Sequence, residues 1–272
     1  MAVTGFYREV LGAKLYFEKN DGPAESPYEI LCLPTAGRET RQYHRIMEIL
    51  EGKYQMYAID FPGHGKSWPL KGNKVLDNYH DFGRYIWGAV EAIGMKNVVV
   101  IGCSMGGNLV YHVAQEYPVK AICSMQGGDN TTCDLTVLSL LDNPAVSVQH
   151  SHMEYSECLA GPLCSDEAMD FIRWGVSCEI SKCKCGDLTM YAGFNVLDKM
   201  GDIKCPVLVV HGTSDPSVTE AMVKVTMSHL TAASKLVYRP VSGYGHFIAV
   251  EAPEAVAHHL DEFLAGLKED GV

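Results

Sequence analysis

The stretch Asn97–Gly107, NVVVIGCSMGG, constrains the fold of this chain more than any other. Residues 98–101 are β-branched and apolar, which is typical of a strand buried on both faces in a parallel sheet. The run ends in GCSMG at residues 102–106, the Gly-x-Ser-x-Gly pattern of a serine on a sharp turn between a strand and a helix. Helical spacing follows until Pro118, which cannot continue a helix. The stretch therefore predicts a strand, a tight turn at Ser104 and a helix.

Strands and helices alternate along most of the chain. Two short alternating segments around Gly12, residues 6–10 and 14–18, predict an antiparallel hairpin. Apolar runs predict further strands at residues 28–33, 54–59, 119–125, 206–210 and 236–241, and helical spacing predicts helices around residues 43–50 and 82–93 and from Pro253 onward. Ser217 to Glu220 fits a capping box that opens another helix. This order predicts an α/β fold with a mostly parallel, doubly wound sheet.

One long segment interrupts the alternation. From about Asn130 to Gly201 there is no strand pattern, and helical spacing is clearest from Met169 to Ile180, behind a candidate N-cap at Ser165. The sequence therefore predicts a helical cap at residues 130–201, inserted into a core made of residues 1–129 and 202–272.

Composition and charge narrow the classes of function. The 272 residues carry a net charge of −11, which repels nucleic-acid backbones and anionic lipid surfaces. No apolar run approaches the ~20 residues that cross a bilayer, and no basic region followed by an apolar stretch begins the chain. The ten cysteines lack the regular spacing of secreted domains and are interpreted as reduced thiols. We expect a cytoplasmic protein whose partner is a small-molecule substrate, and a homodimer stays open.

The serine needs two further groups to act as a nucleophile. A hydroxyl is a weak nucleophile at neutral pH, so it requires a base within hydrogen-bond reach and a carboxylate that orients the base. Both should follow later strands, because the carboxyl ends of parallel strands meet at one edge of the sheet. Asp215 follows the predicted strand that ends at Val210, and His246 follows the last strand. Asp129, after an earlier strand, is the reserve acid.

Four segments in order carry a family resemblance: DFPGHGKS at residues 60–67, GCSMGG at 102–107, HGTSDP at 211–216 and GYGHF at 243–247. Over essentially its whole length the chain resembles an α/β-hydrolase with a helical cap. The resemblance implies Ser104 as nucleophile, His246 as general base and Asp215 as the acid that orients it.

The chain departs from the family at the predicted oxyanion hole. Family members commonly have His-Gly after the strand that precedes the first helix, whereas this chain has Pro34-Thr35 followed by Ala36-Gly37. Backbone N–H groups still serve there, because an oxyanion hole needs donors and no particular side chain. The N–H groups of Ala36 and Met105 are the predicted donors.

The predicted reaction is hydrolysis of a small or medium carboxylic ester or lactone through an acyl-enzyme. Epoxide hydrolases and dehalogenases of this fold need an aspartate in place of Ser104. Two alternatives stay open: a hydrolase of carbon–carbon bonds in vinylogous diketones, and a ligand receptor that keeps the fold. Phe247 counts against the first, because such relatives often have Trp directly after the histidine.

The remaining candidates concern the pocket and metals. Met169 and Trp174 of the cap and Phe247 are predicted to line the substrate pocket. His64 is interpreted as structural. Cys178, Cys183 and Cys185 lack a paired C-x-x-C frame, so neither a metal nor any other cofactor is expected.

Overall fold

Eight strands form one sheet in residues 3–131 and 149–269, the part of the chain that the computed structural model describes. The strands are β1 Thr4–Val10, β2 Ala13–Lys19, β3 Glu29–Leu33, β4 Gln55–Ile59, β5 Val98–Cys103, β6 Ala121–Met125, β7 Val207–Gly212 and β8 Leu236–Val241. Their spatial order is β1-β2-β4-β3-β5-β6-β7-β8. Strands β3 to β8 are parallel, and the β1–β2 hairpin adds an antiparallel edge next to β4. The predicted hairpin and the mostly parallel sheet are confirmed.

Nine α-helices are described in the same two segments. They are α1 His44–Ile49, α2 Tyr79–Ile93, α3 Met105–Glu116, α4 Gln149–Leu159, α5 Asp166–Ser177, α6 Ser181–Ala192, α7 Glu220–Ser228, α8 Ile248–Glu251 and α9 Pro253–Glu269, with short 3-10 turns at Thr40–Tyr43, Lys71–Asn73 and Leu197–Asp202. Polar side chains cap three of them: Asn78 accepts the Asp81 N–H, Ser165 accepts the Ala168 N–H, and a threonine caps α7 as described below. None of the described helices is both long and apolar enough to span a bilayer.

Both faces of the sheet are buried, as the β-branched run in β5 predicts. Val98 and Val100 pack with α2 and α3 on one face, whereas Val99 and Ile101 pack with α1 and α9 on the other. Side chains alternate along a strand, so each face receives every second residue. The sheet therefore separates two apolar cores and leaves its carboxyl edge for polar loops.

Two details of the sequence prediction are wrong. Helix α7 is capped by Thr219, whose hydroxyl accepts the Met222 N–H, and Ser217 lies outside the helix. The Ser217 hydroxyl instead donates to Asp215 Oδ1, two residues earlier in the chain. Helix α5 ends at Ser177, so Ile180 lies beyond it and is 53% exposed.

The chain between β6 and β7 leaves the sheet and returns to it at the same place. Asn130 and Asn195 form an isolated antiparallel bridge, and the Val196 N–H donates to the Asp129 carbonyl at 2.9 Å. Helices α4, α5 and α6 lie between these points, and residues 132–148 of the predicted cap lie outside the described residues. The division into core and cap stays a prediction.

Candidate active site

Ser104 occupies a strained turn between β5 and α3. Its backbone has φ 57° and ψ −116°, outside the regions that residues with a side chain ordinarily adopt. The turn is tight enough to require its two glycines: a Cβ at Gly102 would lie 2.2 Å from the Gly106 carbonyl oxygen, and one at Gly106 would lie 2.4 Å from that of Leu33. The Ser104 N–H donates to the Met125 carbonyl at 2.8 Å. Strain held by surrounding contacts is typical of a functional site.

Hydrogen bonds connect Ser104 to His246 and Asp215. Ser104 Oγ lies 2.8 Å from His246 Nε2, and His246 Nδ1 lies 2.6 Å from Asp215 Oδ2. The three residues are buried, with at most 6% of each exposed. The structure thus brings together the three residues that the sequence selected, in the order expected for the predicted nucleophile, base and acid.

Asp215 is held by two residues that the sequence analysis missed, Ser217 and Gln126. The Ser217 N–H and hydroxyl both donate to Asp215 Oδ1 at 2.7 Å, and that hydroxyl lies 3.1 Å from His246 Nδ1. Gln126 Nε2 donates to Asp215 Oδ2 at 2.7 Å. Burial alone would raise the pKa of Asp215, but the hydrogen bonds from His246 and Ser217 outweigh it and lower that pKa to about 2. Asp215 is therefore ionised when it faces His246.

Gln126 also joins the ends of two strands. Its side-chain oxygen accepts the Gly212 N–H at 2.8 Å, and its amide lies 3.2 Å from the Gly212 carbonyl. The residue has a left-handed backbone, with φ 49°. A polar residue directly after a buried strand was the sequence signal for Gln126. The local signal for Ser217 was Asp215 two residues earlier, because Asp side chains often accept hydrogen bonds from the residue two positions on.

The reserve acid Asp129 has different partners. Its carboxylate lies 3.0 Å from the Thr226 hydroxyl and 2.6 Å from His229 Nδ1, both at helix α7. Its backbone carbonyl accepts the Val196 N–H. Asp129 thus fixes α7 and the returning chain, whereas Asp215 meets His246.

The predicted oxyanion donors lie on two different elements. Met105 is the first residue of α3, so its N–H has no acceptor within the helix and lies at the positive end of the helix dipole. Around Ala36, Lys184 Nζ donates to the Ala36 carbonyl at 2.9 Å, and the Gly37 N–H donates to Asp187 Oδ2 at 2.6 Å. Helix α6 therefore holds the peptide that follows Ala36. The assignment of the two donors stays a prediction.

A buried ion pair supports this loop. His64 Nε2 lies 2.9 Å from Asp187 Oδ2, and His64 Nδ1 lies 3.2 Å from the Pro62 carbonyl. Both partners can only accept, so each ring nitrogen carries a proton. Burial alone would lower the pKa of His64, but the Asp187 carboxylate prevails and raises it. His64 is thus a charged contact between its own loop and α6, in keeping with a structural role.

A second buried carboxylate, Glu179, lies beside the same loop. It lies 2.9 Å from Arg38 Nη1 and 3.1 Å from Lys184 Nζ. Burial alone would raise the pKa of Glu179, but Lys184, His152 and Arg38 together lower it to about 2. The helices between β6 and β7 therefore meet the loop after β3 through paired charges.

The three predicted pocket residues have different surroundings. Phe247 is 4% exposed and packs with Leu159 of α4 and Ile172 of α5. The Trp174 ring lies under the Arg41 guanidinium at 3.9 Å, and Met169 is half-buried on α5. A cavity of about 440 Å³ is lined in part by α1 and α5, and Ser104 is not among its lining residues. The assignment of the substrate pocket stays a prediction.

One group of three possible metal ligands occurs within residues 3–131 and 149–269. It consists of His258, His259 and Glu262, on the surface of α9. The cysteines Cys178, Cys183 and Cys185 form no such group there. The hydrogen-bonded group at Ser104 consists of a hydroxyl, an imidazole and a carboxylate.

The sheet order and the tight turn that carries Ser104 are those of the α/β-hydrolase fold. A family model described as the alpha/beta hydrolase fold matches residues 29–143. The chain is 24% identical to (E)-2-((N-methylformamido)methylene)succinate hydrolase of Acinetobacter baylyi, over 92% of this chain and 93% of that protein.

Solved structures agree in fold. The enol-lactonase from Burkholderia xenovorans has a TM-score of 0.82 at 16% identity, covering 96% of this chain and 100% of its own. A carboxylesterase from Bacillus subtilis has a TM-score of 0.78 at 17% identity, covering 98% and 93% of the two chains. At this level of identity, the likeness establishes the fold alone.

Proposed function

We propose that this protein is a serine hydrolase that cleaves a small or medium carboxylic ester or lactone through an acyl-enzyme. The observation that carries the proposal is the hydrogen-bonded series from Ser104 Oγ through the His246 ring to the Asp215 carboxylate, with distances of 2.8 and 2.6 Å. Similarity in fold to proteins named as an enol-lactonase and a carboxylesterase supports the choice of ester and lactone substrates.

In the first half of the reaction, Ser104 Oγ attacks the substrate carbonyl carbon while His246 Nε2 takes the hydroxyl proton. The ionised Asp215 keeps the His246 ring in the tautomer that has a proton on Nδ1, and it stabilises the imidazolium that forms. The N–H groups of Ala36 and Met105 stabilise the negative charge on the carbonyl oxygen. The carbon–oxygen bond of the ester then breaks, and the leaving alkoxide takes the proton from His246.

The second half repeats these steps with water. His246 Nε2 removes a proton from water as the water oxygen attacks the acyl carbon, and the proton then passes to Ser104 Oγ as the acid leaves. No group outside the chain is consumed apart from water. With a lactone, the leaving oxygen stays attached to the acyl chain, so the product is one hydroxy acid.

Replacement of Ser104 tests the proposal. We expect Ser104→Ala to fold and to lose at least about a thousandfold in kcat with a p-nitrophenyl ester, because the covalent route is gone. An organophosphonate should label the parent protein at Ser104 alone, as mass spectrometry of its peptides would establish. Ser124→Ala is the control, since Ser124 is equally buried but donates to the Gly107 carbonyl. Labelling elsewhere, together with an active Ser104→Ala variant, would refute the proposal.

A further inference from the structure

The loop that carries His246 has three consecutive backbone N–H groups with fixed acceptors. The Gly245 N–H donates to Glu251 Oε2 at 2.8 Å, and the Phe247 N–H donates to Glu251 Oε1 at 2.9 Å. Between them, the His246 N–H donates to the Leu159 carbonyl at 2.9 Å. One carboxylate therefore holds the chain on both sides of His246.

Helix α8 brings Glu251 to this position. The helix starts directly after Phe247, and the Glu251 N–H donates to the Phe247 carbonyl at 2.8 Å, so one helical turn returns the side chain to the loop. Glu251 is 6% exposed, and no ion pair involves it within the part of the chain that the structure describes. A buried charge without a counter-ion is unfavourable unless hydrogen bonds satisfy it. Backbone N–H groups do so here.

A third N–H on the same carboxylate comes from the segment after α4. The Gly161 N–H donates to Glu251 Oε2 at 2.7 Å. The Leu163 N–H also donates to the Gly243 carbonyl, at 2.9 Å. Residues 159–163 and the base loop at residues 243–247 are thus joined by hydrogen bonds in both directions.

We propose that Glu251 is a positioning residue for the general base: it fixes the His246 loop and locks it to residues 159–163. The inference rests on the proposed function, because it assigns Glu251 a role through His246. Proton transfer requires His246 Nε2 to lie within about 3 Å of Ser104 Oγ, and a displacement of about 1 Å is enough to slow such a reaction a hundredfold.

Glu251→Gln tests this role with almost no change in volume. An amide has one acceptor oxygen, so its NH₂ group must face at least one of the three N–H donors. We expect kcat for a p-nitrophenyl ester to fall by about 10- to 100-fold, while KM changes by less than about threefold, because the group that is displaced, the His246 ring, acts in proton transfer. The rates are expressed per site titrated with an organophosphonate, so that unfolded molecules do not count.

Glu254→Gln is the matched control. Glu254 lies three residues away on α9, is exposed and pairs with Arg45 at the surface, so its kcat should equal that of the parent. Glu251→Asp keeps the charge with a shorter reach and should have an intermediate kcat. If Glu251→Gln fails to fold, the Asp variant is judged by the same criteria.

The outcomes separate the two proposals. If the parent protein is labelled at Ser104 but Glu251→Gln keeps the parental kcat per titrated site, the role of Glu251 is wrong and the proposed function stands. Equal losses in kcat for the Glu251 and Glu254 variants would do the same. A parent protein that is not labelled at Ser104 would overturn the proposed function and this inference with it.

Discussion

Hydrogen-bond partners distinguish the two candidate acids at the scale of single residues. Asp129 and Asp215 both follow strands at the carboxyl edge of the sheet, so sequence position alone leaves either of them possible. Asp215 lies 2.6 Å from His246 Nδ1, whereas Asp129 lies 2.6 Å from His229 Nδ1. Both carboxylates are paired with a histidine, but of these two histidines it is His246 that contacts Ser104 Oγ.

Asp215→Asn should lower kcat by about three to four orders of magnitude. The amide no longer holds the His246 tautomer or stabilises the imidazolium. The measurement is kcat with a short p-nitrophenyl ester, and melting temperature serves as the check on folding. Asp129→Asn is the control and should leave kcat close to that of the parent. A larger loss in the Asp129 variant would mean that the wrong carboxylate has been chosen.

At the scale of elements, the start of α7 shows how two local patterns compete. Ser217 and Thr219 both precede the helix and both have a hydroxyl. Thr219 caps the helix by accepting the Met222 N–H, and Ser217 donates to Asp215 instead. The difference arises because Asp215 offers a buried, ionised acceptor two residues before Ser217.

Removal of the Thr219 hydroxyl should therefore lower stability, whereas removal of the Ser217 hydroxyl should lower activity. Thr219→Ala removes an N-cap, so we expect a loss of about 1 kcal/mol in the free energy of unfolding, with kcat unchanged. Ser217→Ala removes a donor to Asp215, so we expect a lower kcat and little change in the stability of the helix. Urea unfolding and ester kinetics on both variants provide the measurements. If Ser217→Ala lowered the free energy of unfolding and Thr219→Ala lowered kcat, Ser217 would be the helix cap that the sequence predicted.

At the scale of the whole molecule, three carboxylates make stability depend on acid pH. Burial alone would raise the pKa values of Glu18, Glu179 and Asp215, but cationic neighbours and hydrogen bonds lower each to about 2, from ordinary values of 4.5, 4.5 and 3.8. At pH values above their ordinary pKa values, these groups stabilise the folded state, and this stabilisation is lost as pH falls towards 2. Asp60 has the opposite sign: burial raises its pKa to about 6, so its contribution is lost as pH rises through that value.

The free energy of unfolding should consequently fall as pH is lowered from about 4.5 to 2. Urea unfolding across this range measures the effect. Glu179→Gln should make the free energy of unfolding depend less on pH, because one of the three carboxylates no longer titrates. Glu167→Gln, at an exposed residue, should leave the pH dependence unchanged. A constant free energy of unfolding between pH 4.5 and 3 would contradict the prediction.

The net charge of the molecule and the segment between β6 and β7 allow a prediction about the size of the substrate's acyl group. That segment contributes apolar side chains such as Leu159 and Ile172 next to Phe247, beside the base loop. We expect p-nitrophenyl esters of short acids to have a higher kcat/KM than esters of ~12 carbons or more, because a covered apolar site suits a compact acyl group. The net charge of −11 opposes an anionic surface, so anionic vesicles should not activate the protein. A kcat/KM that rises steadily with chain length, or activation at vesicles, would show that the prediction is wrong.

Much of the fold is predictable from the sequence because its signals are local. The β-branched run before Gly102, the break at Pro118 and the hydroxyl at Ser165 act on neighbouring residues. They predict a strand, the end of a helix and a helix cap regardless of what packs around them. The order of strands and helices then limits the sheet to a mostly parallel arrangement.

The sequence alone determined the strand, turn and helix around Ser104 and the position of His246 and Asp215 after later strands. Only the tertiary structure decided that Ser104 and His246, 142 residues apart, lie within hydrogen-bond distance, because the pairing of β5 with β6, β6 with β7 and β7 with β8 brings their loops to one edge. The same pairing brings His246 Nδ1 to 3.1 Å from the Ser217 hydroxyl. Two of the N–H partners of Glu251 lie four and six residues before it, but the third, from Gly161, is 90 residues away and meets Glu251 only when residues 159–163 pack against the base loop.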